Sequence, residues 1–271
     1  MDAKPARLAY DVDPTRSERY SLRQARYDAI GREIGRLLPD FERRGARLRL
    51  LDVGIWDGVS MRYIEAHDSH GTVEYHGVDR QLKATLYKPE AWTALHEADL
   101  LSGLPVLPSN AFDVVICEQV LEHLPQVDEP LETLCRVTKP GGLLILGVPI
   151  FPPGLHLIRK HVVPVWDRWF PPSKVRGHIQ AFSRDTFLAA IRRNCDVSIQ
   201  ETRGFRMISG GVLRGLENSR TWWQMNCALG RWLPGLCIEI QVLARKNPAV
   251  ATCIEPQVFP CEVQQSSSVA V

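Results

Sequence analysis

The residue types with the clearest chemical meaning in this sequence lie in residues 50–58, LLDVGIWDG. An apolar run ends there in an acid, Asp52, and a turn with two glycines, Gly54 and Gly58, precedes a helical pattern. A glycine turn lets the backbone approach a ligand closely, because no side chain stands in the way. The segment therefore predicts a strand, a ligand-binding turn and a helix, in that order.

Two classes of cofactor use turns of this kind. A nucleotide with a pyrophosphate requires the spacing G-x-G-x-x-G, so that backbone N–H groups reach the phosphates. Here Trp56 replaces the middle glycine, no glycine stands at the third place, and Asp57 adds a negative charge. An acidic strand end suits a cofactor with an ammonium and a sulfonium group. The turn favours S-adenosyl-L-methionine over NAD, and an NAD-dependent oxidoreductase remains the alternative.

Two further acids end the next candidate strands. Asp79 closes the run YHGVD at residues 75–79, and Asp99 lies in EADL at residues 97–100. Ligands of open α/β sheets bind at the carboxyl ends of the strands, where an acid can accept hydrogen bonds from ribose hydroxyls. Any one of these acids could be a turn residue or a helix cap. Three in order along the chain indicate a single binding edge.

Residues 112–124, FDVVICEQVLEHL, and residues 140–146, PGGLLIL, complete a family pattern. They resemble the fourth-strand and fifth-strand segments of class I S-adenosylmethionine-dependent methyltransferases, in the methyltransferase type 11 branch. The resemblance is dense from about residue 48 to residue 149. It departs from the family at Ile55-Trp56-Asp57, where a smaller turn is usual.

The resemblance implies a role for each matching residue. Asp52, Gly54, Ile55 and Gly58 would form the loop around the methionine end of the cofactor. Asp79, with Arg80 beside it, would hold the ribose. The adenine would meet Asp99 and Leu100, and Glu118 would form a wall of the site.

Two histidines are candidates for catalysis. His123 follows the fourth strand on a short helix, where it could equally pack or cap. His178 lies in GHIQAFS at residues 177–183, which resembles a segment found late in this branch. A dedicated base is needed mainly when the nucleophile is a hydroxyl, because a sulfonium is already an activated leaving group. The lack of an obvious base is therefore no objection to methyl transfer. A module that binds the cofactor without turnover is the second alternative.

Short apolar runs alternate with helical segments after residue 47. The candidate strands are residues 48–53, 75–78, 95–98, 112–117, 143–148, 196–201 and 237–244. Because parallel neighbours need crossover connections, this alternation predicts a doubly wound sheet. With the resemblance, we expect an α/β fold: a Rossmann-like αβα sandwich with a mostly parallel seven-stranded sheet whose last strand is antiparallel.

The same pattern suggests an organisation along the chain. Residues 1–46 would be an N-terminal helical segment, and residues 47–150 the cofactor-binding core. Residues 151–246 would add an acceptor-side insertion and the last strands, before a flexible tail at 247–271. Within this scheme a helix ends at residues 138–142, TKPGG, and Ser183 caps another helix.

Composition excludes several classes of protein. The chain has 271 residues, 45% hydrophobic and 24% charged, which is typical of a globular domain. A net charge of +2 gives no reason to expect a nucleic-acid partner. Seven cysteines without a CxxC pair indicate reduced thiols in a cytoplasmic protein and no metal site. The longest apolar run, residues 141–155, is too short for a transmembrane helix.

The sequence predicts the class of acceptor less closely than it predicts the cofactor. Five of the seven tryptophans lie in residues 151–180 and 203–232, among an excess of basic residues. Such a surface suits a membrane interface, a lipid- or glycan-linked acceptor or a single strand of nucleic acid, or it simply packs over the acceptor pocket. Trp222, Met225, Leu229 and Trp232 share one helical face. We expect a small-molecule, glycan or lipid-linked acceptor, with peripheral membrane contact as one option.

Overall fold

The structure is a computed structural model that describes residues 20–151, 179–207 and 211–248. Within these ranges seven strands form one sheet, and all seven predicted strands are present. The bounds are β1 (Leu48–Val53), β2 (Val73–Asp79), β3 (Ala94–Glu97), β4 (Phe112–Glu118), β5 (Thr138–Pro149), β6 (Val197–Phe205) and β7 (Glu239–Lys246). The prediction was right for both ends of β1 and differed from the structure at one or both ends of every other strand.

The sheet has the strand order β3-β2-β1-β4-β5-β7-β6. Strands β1 to β5 are parallel, whereas β7 is antiparallel to both of its neighbours, β5 and β6. The predicted Rossmann-like sheet with an antiparallel last strand is confirmed. Since the chain order reverses between β1 and β4, a crevice opens at the carboxyl edge there, where doubly wound folds bind ligands.

Helices cover both faces of the sheet. The described helices are α1 (Ala25–Arg43), α2 (Val59–Glu65), α3 (Asp128–Val137), α4 (Arg184–Asn194) and α5 (Arg220–Trp232). Helices α1 and α2 pack on one face through residues such as Ile34 and Ile64. Helices α3 and α4 pack on the other through residues such as Leu134 and Phe187. The result is a three-layer αβα sandwich.

Strand β4 shows why the sequence forms a strand with two buried faces. Val114 and Ile116 belong to the core under α1 and α2, while Val115 and Cys117 belong to the core under α3 and α4. Successive side chains of a strand point to opposite faces, so a strand covered on both sides reads as a continuous apolar run. That run holds the end of β4 rigidly at the carboxyl edge.

Two predicted helix boundaries have clear physical causes. Helix α3 ends at Val137, directly before the TKPGG segment, and β5 begins with that segment. Ser183 caps α4 in a capping box, in which its side chain accepts from the Thr186 N–H and the Thr186 hydroxyl accepts from the Ser183 N–H. Both signals depend only on residues close in sequence.

The face of α5 that packs against the molecule is not the apolar face that Trp222, Met225, Leu229 and Trp232 share, for which the sequence left packing and membrane contact open. Its buried residues are Trp223, Asn226 and Gly230, whereas Met225 and Trp232 are exposed. Gly230 lies so close to the backbone of Gly204 in β6 that a Cβ there would collide with it. Close backbone contact at Gly230 and burial of Trp223 together orient α5.

Some predicted features lie outside the described residues. They include residues 1–19, most of the insertion at 151–180 and most of the tail from residue 247. Within the described ranges, none of the helices is both long and apolar enough to cross a membrane.

Candidate functional site

The turn after β1 departs from ordinary backbone geometry at three positions. Gly54, Trp56 and Gly58 have φ values of 81°, 51° and 77°. A Cβ on Gly54 would collide with the side chain of Val120, which follows β4. Glycine at this position lets the turn after β1 lie close to Val120, which follows β4. The ends of β1 and β4 are therefore close together at the base of the crevice.

Asp79, at the end of β2, holds this turn in place. Its Oδ2 accepts the Trp56 N–H at 2.9 Å, and its Oδ1 accepts the Gln81 N–H at 3.2 Å. The first bond helps to hold the left-handed backbone at Trp56, which costs free energy at a residue other than glycine. A carboxylate has about four acceptor positions, so Asp79 can still accept two hydroxyl groups from a ligand.

Asp99, after β3, has a similar arrangement. Its Oδ1 accepts the Leu101 N–H at 3.0 Å and caps the short 3-10 helix Leu100–Ser102. Leu100 is buried beside it and offers an apolar surface to a flat ring. Asp99 is therefore a helix cap, one of the alternatives that the sequence left open. It also lines a cavity.

A cavity of about 710 Å³ lies at the carboxyl edge between these strand ends. It brings together seven residues that the sequence singled out: Gly54, Asp79, Arg80, Asp99, Leu100, Glu118 and His123. It also has walls that sequence reasoning missed, among them Tyr27 on α1, Val120 and Ile179. No local pattern marks Tyr27, because only the packing of α1 brings it to this edge.

Three predicted cofactor residues do not line this cavity. The Asp52 carboxylate is buried and accepts a hydrogen bond from the Ser60 hydroxyl, which ties β1 to the first turn of α2. Burial raises the pKa of Asp52 to about 6. Ile55 packs in the core, and Gly58 is the N-cap of α2. These residues stabilise the turn from the core side and do not contact the crevice.

Glu118, at the end of β4, is buried in the cavity wall. Its Oε1 accepts from Gln241 Nε2 at 2.7 Å, and its Oε2 lies 3.5 Å from Arg26 Nε and has no hydrogen-bond partner within the described part of the chain. Burial is the main cause that raises the pKa of Glu118 to about 8. Gly147 makes room for this carboxylate, since a Cβ there would overlap it.

His123 lines the cavity beside a buried acid. Its Nε2 lies 3.7 Å from Oε1 of Glu122, whose side chain is almost fully buried and whose two oxygens have no hydrogen-bond partner among the residues that the structure describes. Burial raises the pKa of Glu122 to about 7. The backbone carbonyl of Glu122 accepts the N–H groups of Ile179 and Gln180. His178 lies outside the described residues, and its neighbour Ile179 lines the cavity.

A second, polar cavity of about 300 Å³ adjoins the first and shares Tyr27, Trp56 and Gln119 with it. Arg23, Arg26, Arg206, Asp57 and Glu239 also line it. In the described residues no group of three or more His, Cys, Asp or Glu side chains is placed to hold a metal ion.

The two cavities fit S-adenosylmethionine. Asp79 and Asp99 keep free acceptor positions at two neighbouring strand ends, and Leu100 supplies an apolar wall. The mixed charges of the polar cavity suit the amino-acid end of such a ligand. A pyrophosphate would face carboxylates here, with Asp57 on the turn itself.

Comparison with known proteins agrees with this geometry. A family described as "Methyltransferase domain" matches residues 22–194. A structure from Galdieria sulphuraria, proposed to be a sarcosine dimethylglycine methyltransferase, covers 80% of this chain and 86% of its own. The TM-score is 0.51 and the identity 16%, so this likeness shows the fold alone.

Two curated relatives also match. The chain is 31% identical over 126 residues to the highly reducing polyketide synthase ctvA of Aspergillus terreus, a match that covers 43% of this chain and 5% of that protein. It is 23% identical over 206 residues to a ubiquinone biosynthesis O-methyltransferase of Xanthomonas oryzae, covering 74% of this chain and 75% of the relative. The chain thus spans about 5% of the length of the synthase.

The matched family covers most of the chain, including the cofactor crevice from β1 to β4 and helix α1. The resemblance found in the sequence is confirmed, and it removes the NAD-dependent alternative. This protein belongs to the methyltransferase domain family, and its cofactor is S-adenosyl-L-methionine.

Proposed function

We propose that the protein transfers the methyl group of S-adenosylmethionine to an oxygen nucleophile of a small organic acceptor. The proposal rests on the extent of the large cavity. Its walls continue from the acids of β2 and β3 past the end of β4 to Tyr27, His123 and Ile179. These additional residues could contact an acceptor, because they are not among the groups assigned to the cofactor.

Named residues would hold the cofactor. Asp79 would accept from the ribose hydroxyls, Asp99 from the adenine amino group, and Arg23 and Asp57 would meet the carboxylate and ammonium of the methionine part. When bound, the cofactor supplies a methyl group on a positively charged sulfur. Positioning and exclusion of water then account for most of the rate enhancement that the protein has to provide.

An oxygen nucleophile must lose its proton as the new C–O bond forms. His123 lies on the cavity wall, and the buried Glu122 beside it would stabilise the imidazolium that results from accepting that proton. His178 is the other candidate, as the sequence suggests. The O-methyltransferase relative, which matches over 74% of this chain, supports oxygen over nitrogen as the methylated atom.

The test is a turnover assay with methyl-labelled cofactor and a set of phenols, hydroxy acids and amines. We expect S-adenosylhomocysteine to form with a hydroxyl compound, and the His123→Ala variant to slow methylation at neutral pH without loss of cofactor binding. Methylation of amines alone would contradict the choice of oxygen. Cofactor binding without turnover on any acceptor would instead select the inactive binding module.

A second candidate acceptor is lipid-linked. Trp232, at the end of α5, is 85% exposed, and Leu233, Leu236 and Ile238 are exposed after it. Exposed indole and aliphatic groups beside arginine are typical of proteins that bind at a membrane surface. Vesicle co-sedimentation of the wild type and a Trp232→Ser variant tests this: equal binding of both proteins would contradict it.

Cytoplasmic location and the absence of a nucleic-acid partner stay predictions.

A further inference from the structure

A third cavity, separate from the two described above, lies between α1, the end of β6 and α5. Its volume is about 310 Å³, and it shares no lining residue with the large or the polar cavity. Its walls include five arginines, which come from three elements distant in sequence. They are Arg32, Arg36, Arg203, Arg220 and Arg231, and we call this cavity the arginine groove.

The positive charge of the arginine groove is only partly compensated. Arg32 pairs with Asp28 at 2.6 Å and Arg36 with Glu33 at 3.0 Å. Arg203 pairs with Glu33 and Glu201 at 2.7 and 2.6 Å. Three carboxylates thus face five guanidinium groups.

Two arginines supply the excess charge. Arg220 and Arg231 form no ion pair with any part of the chain that the structure describes. Arg220 is also the first residue of α5, where the helix dipole adds positive potential. Two excess charges in a concave site attract a dianion more strongly than a monoanion.

Two buried groups in the wall are donors without partners. Arg203 is 4% exposed, and its Nε–H has no acceptor within the described structure. Trp223 is 5% exposed, and its Nε1–H likewise lacks one. A buried donor without an acceptor is costly, and both donors belong to residues that line the groove, so its wall is short of acceptor atoms.

The floor of the groove is apolar. Ala25, Phe205 and the ring of Trp223 form it, and the guanidinium of Arg32 lies over that ring at 5.5 Å. The volume exceeds what an inorganic ion alone would fill. A phosphate group with part of an organic residue attached matches both the charged rim and this floor.

We propose that the arginine groove is a second ligand site, which binds a phosphate monoester or a pyrophosphate group. Guanidinium groups bind phosphate oxygens in pairs, and arginines arriving from α1, β6 and α5 can approach a tetrahedral anion from several directions. The phosphate belongs either to a small soluble compound or to a lipid headgroup. We assign no methyl transfer to this groove, since it shares no lining residue with the two cavities assigned to the cofactor.

The experiment measures binding of pyrophosphate by calorimetry at low ionic strength. The test variant is Arg220→Gln with Arg231→Gln, which removes the two unpaired charges from the rim. The matched control is Arg44→Gln with Arg192→Gln, which removes the same charge from exposed positions elsewhere. We expect the test variant to raise Kd about tenfold and the control to change it less than about twofold.

Two further binding measurements locate the site and identify the source of the phosphate. Saturating S-adenosylhomocysteine should leave pyrophosphate binding unchanged, because the two sites share no residue. Vesicles with phosphatidic acid are compared with vesicles of phosphatidylglycerol. A preference for phosphatidic acid that the test variant loses would identify a lipid headgroup as the source, whereas pyrophosphate binding without that preference would identify a soluble compound.

Several results would overturn the proposal. One is that the wild type binds neither pyrophosphate nor phosphatidic acid vesicles at low ionic strength. Others are equal binding by the test and control variants, displacement of pyrophosphate by S-adenosylhomocysteine, or tighter binding of malonate than of pyrophosphate. Each measurement uses the folded full chain, and the exposed positions of the four arginines make loss of the fold an unexpected outcome.

Discussion

The two halves of the carboxyl edge are built in different ways. Around β1 to β3, backbone N–H groups hold the acids, as with Trp56 on Asp79 and Leu101 on Asp99. Around β4 to β7, charged side chains hold one another: Arg26 of α1 contacts Glu118 at 3.5 Å and Glu239 at 2.8 Å. Glu239 also contacts Arg206 at 2.5 Å.

The difference concerns how each half responds to change. A carboxylate that accepts hydrogen bonds from backbone N–H groups is held in place for a ligand. A buried group of charged side chains is stable only while every partner is present, because an uncompensated buried charge is costly. We therefore expect mutations in the first half to affect ligand affinity, and mutations in the second half to affect stability and its pH dependence.

The largest expected effect follows from removal of Arg26. The substitution Arg26→Met should lower the free energy of unfolding by about 3 kcal/mol, since it leaves the buried Glu239 with less compensation and removes the contact with Glu118. Urea unfolding measures it. The neighbouring exposed Arg23, changed to Met, is the control and should stay within about 0.5 kcal/mol of wild type. Equal effects would show that the buried charges do not stabilise each other.

The next largest effect is on cofactor affinity. The substitution Asp79→Ala should weaken S-adenosylmethionine binding by roughly 1.5–3 kcal/mol, because it removes an ionised acceptor and the anchor of the Trp56 turn. Calorimetry on the folded variant measures the loss, and Asp79→Asn should lose less. If the folded Ala variant binds as wild type does, Asp79 is only a turn residue.

The third prediction is a pH dependence that separates the halves. Burial raises the pKa of Glu118 from 4.5 to about 8, so the folded protein keeps a proton that the unfolded chain has already lost. Stability should therefore fall as pH rises from about 4.5 to about 8, with a slope of at most about 1.4 kcal/mol per pH unit from this group.

The control for this prediction is Glu118→Gln, which preserves the shape and cannot titrate. Subtracting its stability curve from that of wild type isolates Glu118 from Asp52 and Glu122, whose pKa values burial also raises. Parallel curves over this window would mean that Glu118 is already ionised in the folded protein.

The smallest effect tests local structure outside both halves. The substitution Ser183→Ala removes the capping box of α4 and should cost about 1 kcal/mol of stability. Ser219→Ala removes the cap of α5, whose bond to the Trp222 N–H is longer at 3.4 Å. We expect a smaller loss there. A larger loss from Ser219→Ala than from Ser183→Ala would contradict the reading of cap strength from geometry.

The sequence by itself determined the features that depend on neighbouring residues. The two-sided apolar run of β4, the glycine turn at Gly54 and the cap at Ser183 are local signals, and each is present in the structure. The three acids follow their strands in order, so the fold class and the cofactor could be predicted. The roles of individual cofactor-binding residues stay predictions.

Only the tertiary structure decided which side chains reach the crevice. Asp52 is the last residue but one of β1 and Asp79 is the last residue of β2, yet the Asp52 carboxylate lies behind the turn with Ser60 while Asp79 lines the cavity. Tyr27 reaches the cavity only because α1 packs across the sheet. Arg26 meets Glu239 across 213 positions of sequence. Such contacts depend on the packing of whole elements, and periodicity along a chain carries no information about which elements become neighbours.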